Sequence, residues 1–354
     1  MQKIRVLVVD DSATVRKRLV DALGADPAFE VVAEAADGEV GWELCSLLHP
    51  DVVTLDMMMP RVDGLEATKR IMATCPTPIV IVSSRSQSEM RGALDALSAG
   101  AVDALDKPSS DDRAWDSRLR AVVRLIAGLK VIRRPRALQD LGPAPRDRRE
   151  VEARDVVAIG ASTGGPAAIA EILHALPASL NATVLVVVHI GPQFAPLLAE
   201  WLGHQTSIPV RVARDGERLS TSPARAEILL APAEAHLTVR DGALAHDFGP
   251  EQHRCRPSVD VLFHSVAEAL GPRAIGCLLT GMGRDGAQGL SAIRAAGGAT
   301  IVQDEATSVV FGMPRAAIEL GAADDVLPLL AIAPHIACLA TRASHAVTRD
   351  RRGP

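Results

Sequence analysis

Apolar positions along the chain fall into two alternating patterns. Short continuous runs at 4–9, 31–35, 52–55, 79–82 and 101–105 are each followed by a stretch with apolar residues three and four apart. The runs predict strands buried on both faces, and the spaced stretches predict amphipathic helices. Five such pairs in succession predict an α/β, doubly wound (βα)5 domain over 1–129, because each crossover helix must lie on a face of a parallel sheet. The rhythm stops at 130–154, where arginines, prolines and acids crowd together, as in Arg133-Arg134-Pro135-Arg136. Such a stretch buries too little apolar area to offset its ordering entropy and predicts an interdomain linker. From Asp155 the alternation resumes, with strands expected at 156–160, 183–190, 208–212, 274–279 and 300–303. A second, Rossmann-like α/β domain with a mainly parallel sheet is therefore expected over 155–345. Residues 226–231 and 236–248 break the pattern and read as a β-meander turning at Asp241-Gly242, which predicts an antiparallel edge on that sheet. The Arg-rich end of the chain reads as a flexible tail over 346–354, and the last thirty or so residues carry no pattern that places them.

Composition narrows the function classes. With 354 residues, 48% of them hydrophobic, the chain can fill two cores. A formal charge of −5 argues against a broad electrostatic grip on nucleic acid or anionic lipid. The chain shows no helix-turn-helix pattern or basic recognition helix, so no nucleic-acid partner is expected. There is no secretory leader pattern, and runs such as 184–188 are far too short for membrane insertion. The five cysteines form an odd set without the spacing of a disulfide framework or a zinc site. A cytoplasmic protein is the expectation.

In the first domain the chemistry-bearing residues follow strands. Asp10 and Asp11 follow the first, Asp56 the third, Ser83 the fourth and Lys107 the fifth. Ligands of open α/β sheets bind at this carboxyl rim. Singly, each residue has a structural reading, an Asp as a helix cap or a Lys as a surface charge. Together they suit phosphoryl transfer to a carboxylate. Asp10, Asp11 and Asp56 offer hard oxygens for Mg²⁺, Asp56 is the nucleophile, Lys107 pairs with the phosphoryl oxygens and Ser83 hydrogen-bonds the new phosphate. With Leu55-Asp56-Met57-Met58-Met59-Pro60 and the Asp63-Gly64 turn, this region resembles response-regulator receiver domains. The resemblance implies phosphorylation of Asp56 by a histidine kinase. Where receivers often carry an aromatic residue that changes rotamer on phosphorylation, this chain has Ala104, and it contains no tyrosine at all.

The second domain opens with a strand, then Ala161-Ser162-Thr163-Gly164-Gly165-Pro166, then a helix pattern. The turn suits a raised serine nucleophile, a phosphate cradle of backbone amides, or simple helix capping by Ser162 or Thr163. It lacks both the ending of a P-loop and the spacing of a dinucleotide fingerprint. His189 follows the next strand, and Asp285 lies in the Gly-rich loop after the strand at 274–279. Alone, His189 reads as a packed residue and Asp285 as a cap for the following helix. Together, a general base typically contributes roughly 10²–10⁴-fold, a neutral imidazole near pH 7 would serve Ser162, and Asp285 would orient it. The Met282 N–H is assigned to the oxyanion, because small flanking residues let backbone approach substrate closely. No metal is expected in this step.

The segments Gly160 to Pro166, Thr280-Gly281-Met282-Gly283-Arg284-Asp285-Gly286, Gln303 to Ser308, Pro257 to Phe263 and Phe311-Gly312-Met313-Pro314 resemble the chemotaxis protein-glutamate methylesterases, the CheB family. In that family a receiver precedes the esterase. The resemblance implies hydrolysis of γ-glutamyl methyl esters on the cytoplasmic domains of chemoreceptors, glutamine deamidation as a second activity, and a chemotaxis histidine kinase as phosphodonor. It implies Ser162, His189 and Asp285 as the catalytic set. The flanks of the histidine, Val188 and Ile190, differ from the Gln and Met common in the family. A binding module built on the Gly164-Gly165 turn is the competing reading, and it predicts no turnover for Ser162→Ala to remove.

Overall fold

A computed structural model describes residues 3–108, 113–129, 154–191, 194–220 and 226–341. Apart from Arg154, the expected linker at 130–154 lies outside them, as does the expected tail at 346–354. The described residues form two compact units.

The first unit runs β1 (Ile4–Val9), α1 (Ala13–Gly24), β2 (Phe29–Ala35), α2 (Gly38–Leu48), β3 (Val52–Leu55), α3 (Gly64–Thr74), β4 (Ile79–Ser83), α4 (Gln87–Ala99), β5 (Asp103–Asp106) and α5 (Arg113–Ile126). All five strands are parallel, in the order β2-β1-β3-β4-β5. Helix starts are set by short polar side chains that accept first-turn amides: Ser12 for α1, Asp37 for α2, Asp63 for α3 and Ser86 for α4. The fifth strand begins later than its apolar run suggests. Gly100 ends α4 in the left-handed conformation at φ 119° and the Ala101 amide returns to the Ala96 carbonyl, so this residue closes the helix. The buried Trp115 of α5 donates its indole N–H to the Asp106 carbonyl at 2.6 Å, tying the helix to the end of β5.

From Val156 the chain runs β6 (Val156–Ala161), α6 (Gly165–Ala175), β7 (Thr183–Val188), α7 (Ala195–Gly203), β8 (Val210–Val212), β9 (Glu227–Leu230), β10 (His236–Arg240), β11 (Ala243–Asp247), α8 (Val259–Leu270), β12 (Ala274–Leu278), α9 (Ala287–Ala295), β13 (Ala299–Gln303), α10 (Met313–Glu319), β14 (Asp325–Leu327) and α11 (Leu329–Thr341). Seven strands form a parallel sheet in the order β14-β13-β12-β6-β7-β9-β8. The expected antiparallel edge is not there. Residues 227–230 enter the sheet as β9, parallel to β7 and β8, because Ile228, Leu229 and Leu230 are all buried and so suit a strand covered on both faces. Among the described strands only β10 and β11 pair antiparallel, and they form a separate two-stranded sheet turning at Asp241 (φ 51°) and Gly242 (φ 73°). This hairpin packs on α8, where the Val239 amide donates to the Ser265 hydroxyl at 3.0 Å. Late in the chain, β14 and α11 form where no pattern placed them. The helix buries Leu329, Ile332, Ile336 and Leu339.

Each sheet has a point where its first strand in chain order lies between strands wound in opposite directions, and open α/β sheets bind ligands in the crevice at the carboxyl ends of the strands there. In the first unit it lies between β1 and β3. In the second it lies between β6 and β12.

Candidate functional site

The first crevice gathers the expected acids. Asp10 follows β1 and Asp56 follows β3, both fully buried, and the Lys107 ammonium lies 2.8 Å from Asp56 Oδ1 and 3.3 Å from Asp10 Oδ2. Neither aspartate caps a helix with its side chain; Asp10 Oδ1 accepts the Ser12 amide and Asp56 Oδ1 the Met57 amide. Burial, reinforced by the neighbouring Asp10, outweighs Lys107 and pushes the Asp56 carboxyl up to about 6. Burial works against the Lys107 charge, but Asp56 and Asp10 hold the ammonium protonated more firmly than usual. Asp11 is exposed beside them, and one carboxylate oxygen from each of Asp10, Asp11 and Asp56 lies within 4.8 Å of the others. Asp10 Oδ2 and Asp56 Oδ2 are buried without a hydrogen bond. Hard oxygens left so exposed to one another fit a divalent cation such as Mg²⁺. Ser83 closes β4 on the same rim, with its hydroxyl donating to the Ser84 carbonyl at 3.2 Å and its own carbonyl accepting the Lys107 amide.

In the second crevice Ser162 stands at the tip of β6. Its amide donates to the Thr280 carbonyl at 3.0 Å, across from the end of β12. The helix-capping reading of Ser162 or Thr163 does not hold, because α6 starts from Gly164 at φ 76° with no side-chain cap. That geometry leaves the Thr163 and Gly164 amides without acceptors among the described residues. The Met282 amide likewise has none, and its side chain is exposed. Gly281 is required by close approach: a Cβ there would lie 2.8 Å from Ser162 Cβ and 2.3 Å from Met313 Sδ. The serine and the Met282 loop are therefore in contact through a glycine.

The opposite neighbour of β6 brings His189. Ala161 pairs with Val188 across the β6–β7 ladder, so Ser162 and His189 leave adjacent strands side by side. The His189 Nε2 lies 3.0 Å from Asp285 Oδ2. Asp285 does not cap α9, whose N-cap is Gly286. Its carboxylate instead enters the N-terminus of α8, taking the Ser258 hydroxyl (2.8 Å) and the Asp260 amide (3.0 Å) on Oδ1 and the Val259 amide (2.8 Å) on Oδ2. Burial opposes its charge, but His189 and these amides hold the carboxyl below its ordinary range. The hairpin braces this turn, since the buried His236 accepts the Ser258 amide on Nδ1 at 3.1 Å.

Two further features bear on the imidazole. Burial opposes its charge, yet the hydrogen bonds to Asp285 and to Cys255 outweigh it and push His189 up to about 9. Cys255 itself was passed over in the sequence. Its Sγ lies 3.6 Å from His189 Nδ1, a contact between residues 66 apart in the chain that no local spacing reveals. The Ser162 hydroxyl makes no hydrogen bond among the described residues, as is common before substrate binds.

The chain is similar to known proteins over both units. The response regulator receiver domain family model matches residues 6–117, and the CheB methylesterase family model matches residues 157–336. A protein-glutamate methylesterase/protein-glutamine glutaminase of Anaeromyxobacter dehalogenans is 47% identical over 331 residues, covering 92% of this chain and 94% of the relative. One from Cupriavidus pinatubonensis is 44% identical over 349 residues, covering 96% of this chain and 99% of the relative. The crystal structure of the Thermotoga maritima CheB methylesterase catalytic domain aligns with 52% of this chain and 98% of its own at 36% identity, with a TM-score of 0.49. Matched in both units and aligned nearly end to end with full-length relatives, the chain belongs to the CheB methylesterase family, with a response regulator receiver domain preceding the esterase domain.

Proposed function

We propose that this protein hydrolyses γ-glutamyl methyl esters on the cytoplasmic domains of chemoreceptors, releasing methanol, and deamidates glutamines at equivalent sites, under control of phosphorylation at Asp56. Residues 1–129 form the receiver, 130–154 the linker and 155–345 the esterase, acting in the cytoplasm. The observation that carries the reading is the His189–Asp285 pair, held by α8 at the strand end next to Ser162.

Catalysis begins with the neutral form of His189. Asp285 accepts from Nε2–H, which leaves Nδ1 to take the Ser162 hydroxyl proton as Oγ attacks the ester carbonyl. The oxyanion that develops faces the Met282 amide and the Thr163 amide, the latter following the nucleophile directly in sequence. The tetrahedral species collapses, the imidazolium returns its proton to the departing methoxide, and methanol leaves an acyl-serine. Water then gives a proton to His189 as it attacks, and glutamate and Ser162 are restored. A glutamine side chain follows the same path with ammonia as leaving group. No metal enters this scheme.

In the receiver, the Asp56 carboxylate attacks the phosphorus of a phosphohistidine on the kinase, Lys107 pairs with the transferred group, and Ser83 hydrogen-bonds it. Mg²⁺ held by Asp10, Asp11 and Asp56 would offset the gathered negative charge. The test is methanol release from methylated receptor membranes, using the purified protein and Ser162→Ala, each with and without a small phosphodonor and Mg²⁺. Release that requires Ser162 and rises with the donor supports both halves. No release from folded, phosphorylated protein would return the second unit to a binding module.

A further inference from the structure

Cys255 takes no part in the reaction above, yet its position is tightly fixed. Gln252 and Cys255 exchange backbone hydrogen bonds of 3.1 and 2.8 Å around a two-residue turn, with His253 and Arg254 at φ 53° and 63°. This small hairpin sets the thiol against the catalytic imidazole, 3.6 Å from Nδ1. The other side of the ring is equally fixed. A carboxylate only accepts, so the contact at Asp285 Oδ2 requires that Nε2 carry the hydrogen, and in the neutral ring the Nδ1 lone pair then faces the sulfur.

That separation matches one edge of a metal tetrahedron. Zinc–nitrogen bonds of roughly 2.0–2.1 Å and zinc–sulfur bonds of about 2.3 Å at a tetrahedral angle place the two ligand atoms about 3.5 Å apart. The observed separation is 3.6 Å. Metal-bound histidines almost always donate their second N–H to a carboxylate, which fixes the ring and raises its basicity. Asp285 already does this, and it is anchored by Ser258, Val259 and Asp260. One ligand atom from each of His189, Cys255 and Asp285 lies within 4.8 Å of the others, so the carboxylate also neutralises charge at close range.

We propose that His189 Nδ1 and Cys255 Sγ form a binding site for a thiophilic divalent cation of the zinc type, with Asp285 as the outer carboxylate, and that its occupancy switches the esterase off. Binding displaces the protons of Nδ1 and the thiol to solvent, and water completes the coordination. The metal then holds the lone pair that must receive the Ser162 proton, so the hydrolase and metal-bound states exclude one another. A thiolate and an imidazole select zinc-like ions over Mg²⁺, which keeps this site apart from the all-oxygen cluster around Asp56. The inhibition rests on His189 being the base, but the metal site itself does not.

The test therefore has two readouts on the full chain. In the first, Co²⁺ is titrated into the reduced protein and into Cys255→Ala and Cys255→Ser, each verified as folded by its thermal transition. A near-ultraviolet thiolate-to-cobalt band in the parent, absent from both variants and competed away by Zn²⁺, is the expected result. No band, or the same band without Cys255, overturns the site. In the second, Zn²⁺ is titrated into the methanol-release assay with excess Mg²⁺ present. The parent loses activity and recovers it with chelator, and each active variant needs at least about tenfold more Zn²⁺ for half-inhibition. Equal sensitivity of parent and variants overturns the switch. Protein that releases no methanol before zinc is added contradicts the role of His189 instead, and the cobalt band alone then decides the metal site.

Discussion

At the scale of single residues, the pairing of His189 with Asp285 has consequences that pH exposes. With the imidazole held up at about 9, chelator-treated enzyme should gain about tenfold in kcat/KM per pH unit from pH 7 until it levels off near that value. A plateau already reached at pH 7 would show that the base is neutral in solution. The stability effect has the opposite sign. A folded-state value above the ordinary 6.5 means the pair stabilises fully below 6.5 and loses that contribution as pH rises through about 9. Asp285, depressed from 3.8, contributes above that value and loses its share as pH falls through its lower folded value. Thermal melts of the protein and of Asp285→Asn should therefore differ most between these limits and converge in strong acid. The same substitution should lower methanol release by about 10³–10⁴-fold, through loss of the tautomer that leaves Nδ1 unprotonated as the proton acceptor.

At the scale of elements, the proposed catalytic geometry depends on close backbone approach between the turn after β6 and the loop after β12. Gly281→Ala forces a Cβ against Met313 Sδ and Ser162 Cβ, so it should destabilise the protein by about 1–3 kcal/mol and depress kcat more than KM. Steady-state kinetics and a denaturant melt check both. The parallel strands and the strand-end positions of Asp10, Asp56, Ser162 and His189 were legible in the sequence, because doubly buried strands leave continuous apolar runs and a rim residue simply follows the run. Hydrogen-bond partners were not legible. Asp285 reads locally as a cap for its own helix, but its carboxylate serves the start of α8, 25–27 residues earlier in the chain. The register of β9 was hidden for a related reason: an apolar run of four residues suits a meander or a parallel strand equally well, and neighbours distant in sequence decide between them. Cys255 was missed because it reaches His189 only through the fold.

At the scale of the whole molecule, two chemistries share one chain, and the proposed sites should be separable. Chelating Mg²⁺ should abolish stimulation by a phosphodonor while leaving basal methanol release intact, since the Ser162 scheme uses no metal. Lys107→Ala should weaken the same stimulation. Deleting residues 1–154 should raise basal release if the unmodified receiver restrains the esterase; unchanged or lower release from a folded fragment would exclude restraint. Ala104 matters here, because this receiver lacks the aromatic switch residue through which many receivers signal. The Trp115 contact offers a way to watch the alternative. Its indole is bonded to the carbonyl of Asp106, the residue just before Lys107, and the chain holds three tryptophans and no tyrosine. The protein thus contains an intrinsic fluorophore hydrogen-bonded to the peptide group that joins Asp106 to Lys107, the lysine proposed to bind the phosphoryl group, and its emission should shift when Asp56 is phosphorylated, reporting receiver kinetics in unlabelled protein.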